Sequence, residues 1–82
     1  MTEVVVNHFK PYQLYRNTTG IAYVLALTHE YSYTNYYLDT GMVFLVLAET
    51  EASKYNFYNV KILTTLGIHW FYPGDDRIFE EL

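Results

Sequence analysis

Thr19-Gly20-Ile21-Ala22-Tyr23-Val24, Thr40-Gly41-Met42-Val43-Phe44-Leu45 and Leu66-Gly67-Ile68-His69-Trp70-Phe71 follow one pattern. In each, a turn ends in glycine, an aliphatic residue follows, and an aromatic stands two places further on. Glycine supplies the positive φ a tight turn needs, and aromatic and branched residues suit a pleated surface. The triple occurrence predicts a small antiparallel β-barrel. Binding is the commoner use of such a scaffold, although a fold does not by itself give a function.

Working outward, the segment around Val4-Val5-Val6 predicts a first short strand, and Pro11 interrupts pairing after it. Tyr12 to Arg16 reads as a second strand or an extended lead-in. Ile21 to Thr28 and Tyr33 to Leu38 read as a hairpin, with a loop from His29 to Ser32. Met42 to Leu47 is continuously apolar, which predicts a central strand buried on both faces or curling through a barrel. Its apolar length also suggests edge-to-edge assembly. Phe57 to Leu63 alternates, with Tyr58, Val60 and Ile62 on one face and Asn59 and Lys61 on the other. Ile68 to Tyr72 is the last full strand. Arg77 to Leu82 is a short closing strand or one helical turn, with Ile78, Phe79 and Leu82 available to plug an end. Sliding Thr19–Leu38 onto Thr40–Asn59 gives a weak repeat of period 21, with Gly20/Gly41 and Tyr37/Tyr58 among its identities. One turn rule used twice and a duplicated hairpin both account for it, and both give a meander.

From Gly41 onward the chain resembles small phage-encoded proteins of SH3-like fold. The resemblance rests on Gly41–Leu47, a polar loop, Tyr58–Leu63, and Leu66–Pro73, whose Trp70-Phe71-Tyr72-Pro73 strand end precedes an acidic turn and Ile78-Phe79. It covers about half the chain and implies an SH3-like barrel. The Tyr31–Tyr37 segment stands where an SH3 domain has its long first loop, so no proline-peptide groove is carried over. The expected architecture is an all-β, SH3-like barrel of five or six antiparallel strands, one domain over residues 1–82.

Composition narrows function more than motifs do. Eighty-two residues have a thin stability margin. There is no cysteine, so disulfides, thiolate metal sites and cysteine nucleophiles are excluded, and a reducing cytoplasmic setting is expected. Glu3 and the short Val4–Val6 run do not read as a secretory leader, and no apolar window is long enough to span a membrane. Net charge is −4, and no Lys or Arg lies between Arg16 and Lys54. Five scattered cations argue against a polynucleotide groove.

Catalytic motifs are missing. His8, His29 and His69 have no metal-ligand spacing, and His69 is expected to face outward or toward an edge. Asp75-Asp76 with Glu80-Glu81 reads as a solvated turn and a charged tail. Glu49 and Glu51 read as solubilising charges beside a loop. Ser32 and Ser53 have no nucleophile elbow, and four glycines form no phosphate loop. Neither an enzyme activity, nor a cofactor, nor a metal is expected.

What stands out is tyrosine: ten of them, four in the uncharged run Tyr31-Ser32-Tyr33-Thr34-Asn35-Tyr36-Tyr37. Rigid aromatic area interleaved with small polar residues is the composition of adaptable binding surfaces. The alternative is that these rings cover a small core, a role that suits Tyr36 or Tyr37 more than Tyr31 and Tyr33. The candidate partner-binding residues are Tyr31, Tyr33, Tyr36, Tyr37, Trp70 and Tyr72. The leading expectation is a non-catalytic module that binds a host or virion protein through this Tyr-rich face. The other expectation is a homo-oligomer holding a small molecule or nucleotide against aromatic rings.

Overall fold

Glycines at positive φ stand where the pattern puts them: Gly20 at 76°, Gly41 at 91° and Gly67 at 109°. The computed structural model describes residues 3–29, 33–75 and 77–82. It contains β1 (Glu3–Val5), β2 (Leu14–Asn17), β3 (Tyr23–Ala26), β4 (Tyr33–Leu38), β5 (Val43–Glu49), β6 (Val60–Thr64), β7 (Gly67–Phe71) and β8 (Ile78–Glu81). They form one antiparallel, unclosed sheet in the order β1-β8-β2-β5-β6-β7-β3-β4. No helix occurs among the described residues.

The strand count is eight rather than five or six. The short terminal segments are full members of the sheet. β8 lies between β1 and β2, so the C-terminal segment is an interior strand and not a helical turn. β5 is also interior, paired with β2 through Tyr15↔Phe44 and with β6 through Leu45↔Leu63. It has no free edge, which removes it as a site of edge-to-edge assembly. The sheet edges are β1 and β4.

The sheet coils around a single core cluster. Tyr23 on β3 and Phe79 on β8 belong to strands far apart in sheet order, yet their ring centroids are 5.7 Å apart. Alternation supplies the core: Tyr15, Tyr23, Leu25, Leu38, Phe44, Val46, Val60, Ile62, Phe71 and Phe79 all point inward. Phe9 comes from no strand. It is 3% exposed, and its ring meets those of Tyr15, Phe44, Phe71 and Phe79 at centroid distances of 5.2–6.3 Å. The expected plug was Ile78, Phe79 and Leu82. Of these, Phe79 is fully buried in the core as expected, whereas Ile78 is 40% exposed and Leu82 is half-buried; Phe9 joins Phe79 in filling the interior.

The loop carrying Phe9 is pinned by polar groups. The Phe9 N–H donates to Glu49 Oε1 at 2.9 Å, and the Lys10 N–H donates to the Tyr15 hydroxyl at 3.0 Å. Arg77 reaches Glu49 Oε1 at 3.5 Å and donates to the Asn7 carbonyl at 2.9 Å. Glu49 is therefore a structural hub, not merely a solubilising charge.

β5 departs from the two-sided burial its apolar run suggests. Phe44 and Val46 are buried, but Val43 is 39% exposed and Leu45 is half-buried. The outward residues continue across strands, with Leu14↔Leu45, Leu45↔Leu63 and Leu63↔Ile68 directly opposite one another. This aliphatic row on β2, β5, β6 and β7 faces solvent. Because Leu63 fills no core space, Leu63→Thr is expected to move the urea-unfolding free energy by less than about 0.5 kcal/mol. A loss above about 1.5 kcal/mol would show that the row is covered in solution.

Candidate functional site

Of the six nominated residues, the four with described side chains, Tyr36, Tyr37, Trp70 and Tyr72, do not form one face. Tyr31 and the side chain of Tyr33 lie outside the described residues. On β4, Tyr36 shares the inward phase of Leu38, and its ring packs edge-on against His69 at 5.7 Å. Tyr37 points the other way, opposite Val24, and is 48% exposed. Trp70 is half-buried against His29, with ring centroids 5.0 Å apart. Tyr72 lies just past β7, 47% exposed.

His69 corrects the outward placement: it is 5% exposed and opposite Ile62. The cause is a phase shift. β3 and β5 begin two or three residues after their glycine, whereas Gly67 is itself the first residue of β7. In the first two repeats the third residue past glycine, Tyr23 or Phe44, is inward. In β7 the inward positions are the second and fourth, His69 and Phe71, so Trp70 turns outward. A one-residue slip exchanges the two faces of a strand.

Tyr72 leads to a site the sequence reading did not assemble. Its ring packs edge-to-face on Phe57 at 5.4 Å and lies 6.3 Å from Tyr58, while Phe57 and Tyr58 are 5.1 Å apart. Phe57 and Tyr58 are not strand residues, because β6 starts only at Val60. Adjacent aromatics in a regular strand face opposite ways; in this irregular segment both rings gather around Tyr72. Asn59 explains the irregularity. It is 2% exposed, and its Nδ2 donates to the Thr50 carbonyl at 2.8 Å, drawing the chain inward before β6. Asn59 is buried like Val60 and Ile62, so the expected two-face alternation over Phe57 to Leu63 fails at Asn59.

Around these rings run three adjoining depressions. The first, about 280 Å³, is walled by Ile21, Val24, Tyr58, Tyr72 and Pro73, and Asp75 stands at its margin. The second, about 330 Å³, shares Tyr72, Gly74 and Asp75 with the first and adds Phe57 and Arg77. The third, about 480 Å³, shares Asn59 and Arg77 with the second and ends at His8 and Glu51. Together they form a groove that is aromatic at one end and polar at the other. Gly74 has φ +64°, and a Cβ there would sit 4.0 Å from the Tyr72 ring. The turn that places Tyr72 therefore needs a residue tolerant of the left-handed region.

Compared with family models, curated proteins and solved structures, the chain matches none.

Among the described residues no three His, Asp or Glu side chains converge to hold a metal ion. The polar end has a His8 Nδ1–Glu49 contact of 3.2 Å, but Glu49 is already engaged by the Phe9 N–H and Arg77, and the His8 side chain is 89% exposed. The acidic tail is also structural: Glu80 pairs with Arg16, and Glu81 lies 3.4 Å from Lys10. Among the described residues no helix is long and apolar enough to cross a membrane.

Proposed function

We propose that this chain is a non-catalytic protein-interaction module that binds its partner in the groove around Tyr72. The observation that carries this reading is the set of three adjoining depressions, with half-exposed aromatic rings at one end. Tyr presents rigid area at low entropic cost, which favours it at binding hot spots. Tyr37 extends the surface, standing across the strand from the groove residue Val24. The reading also takes in an SH3-like architecture, a phage-encoded origin, a host or virion protein as partner, and a cytoplasmic setting. Chemistry at the groove supplies no support for turnover, and the few cations argue against nucleic acid.

The test compares tagged full-length protein with its Tyr72→Ala and Leu63→Thr variants as baits in nuclease-treated lysate. Tyr72 is half-exposed, so its removal leaves the core intact. The expected result is a stoichiometric partner retained by wild type and Leu63→Thr and lost, by at least about tenfold, with Tyr72→Ala, the loss typical of a hot-spot residue. Equal retention by all three baits would contradict the groove assignment.

A further inference from the structure

Resting on the protein-binding reading, we infer that the groove takes an extended segment carrying a large apolar side chain and, a few residues along, a basic one. The shape argues for an extended chain. A strand presents side chains on one side about every 6.6 Å, suited to successive depressions sharing walls. A helix offers one stripe on a rod roughly 10 Å wide and would rest above the groove rather than enter its depressions.

The chemistry sets the order of residues. The Tyr58–Tyr72–Pro73 depression is lined mainly by apolar atoms and accepts the large apolar side chain. Charge is assigned by elimination. Arg77, the groove's cation, is engaged by Glu49 and the Asn7 carbonyl, and its guanidinium lies 5.8 Å over the Phe9 ring. Glu49 is likewise engaged. Asp75 and Glu51 are exposed and make no ion pair among the described residues. Asp75 borders the first two depressions and Glu51 the third. The unneutralised charge along the groove is thus negative, within a chain of net charge −4. A basic residue gains attraction at either acid, and an acidic one is repelled.

Selection of a random dodecapeptide library on the immobilised full-length protein tests this directly. Enriched peptides are expected to combine an aromatic or large aliphatic residue with Lys or Arg. In fluorescence polarisation, the Asp75→Asn/Glu51→Gln double variant is expected to lose about fivefold in affinity, with a flatter salt dependence. Tyr72→Ala is expected to lose at least tenfold. All three positions are exposed, and circular dichroism verifies the fold of each variant. Enriched peptides that need Tyr72 but carry no basic residue, or bind the double variant unchanged, would overturn this inference and leave the protein-binding reading standing. No enrichment, or enriched peptides indifferent to Tyr72→Ala, would overturn both.

Discussion

Replacing Phe9 with alanine is expected to lower the unfolding free energy by about 3–5 kcal/mol, the usual cost of emptying a large aromatic site in a core. The site has little means of collapse. Four rings from β2, β5, β7 and β8 surround Phe9, and each is itself held in a paired strand. The loop above cannot settle freely, because Glu49 and the Tyr15 hydroxyl fix the backbone at Phe9 and Lys10. In a domain of this size that loss is a large part of the total stability, and the melting temperature should fall by more than about 12 °C. Urea unfolding followed by circular dichroism measures it. Tyr12→Gly in the same loop is the control: Tyr12 is 79% exposed at φ 64°, so glycine relieves a left-handed backbone and costs no core contact. A loss below about 1 kcal/mol for Phe9→Ala would mean that Phe9 does not hold the sheet's interior together.

The second large effect is expected at Asn17, which is fully buried at the end of β2. Its Nδ2 donates to the carbonyls of Ile21 at 2.7 Å and Leu38 at 3.1 Å. Its Oδ1 accepts from the Thr19 N–H at 3.2 Å and the Thr19 hydroxyl at 2.9 Å. Its backbone pairs with Met42 and Gly41. One side chain therefore ties the turn before β3 to the end of β4, beside the turn before β5. Asn17→Ala strands polar groups in a buried place and should cost about 3 kcal/mol. Asn17→Asp keeps the acceptors but loses both donations and sets a carboxylate against two carbonyls, so it should cost at least as much. Thr19→Ala removes the hydroxyl's donation to Asn17 Oδ1 and its acceptance from the Ile21 N–H at 3.3 Å, and should cost about 1 kcal/mol. If Asn17→Asp matched wild type in urea, the two carbonyl contacts would be energetically silent.

Local signals in the chain announced much of this fold. Tyr33–Leu38 forms the strand its composition predicts, and Gly20, Gly41 and Gly67 mark turns through a backbone requirement that no other residue meets as cheaply. Long-range signals were not legible. Nothing in Ile78–Glu81 says that it lies between β1 and β2, because strand order depends on how the sheet coils. Phe9 lies between His8 and Lys10 just before Pro11, a context with no period from which to read a core residue. The His69 placement departs from the expectation because one residue of phase, set by where pairing starts after Gly67, turns His69 inward. Of the nominated site, Tyr72 belongs to the groove and Tyr37 borders it through Val24. Tyr36 packs against buried His69 while staying 49% exposed. Phe57 and Tyr58 escaped notice because the segment reads as alternating strand. Their adjacency was the available clue, since two neighbouring rings cannot both turn inward in a strand.

The groove assignment is tested most directly by a heteronuclear NMR titration of a selected peptide into the full-length protein. The account predicts that amide shifts concentrate on residues 21–24, 57–58 and 72–75. Shifts concentrated instead on Leu14, Leu45, Leu63 and Ile68, or on the free edge of β4, would contradict it.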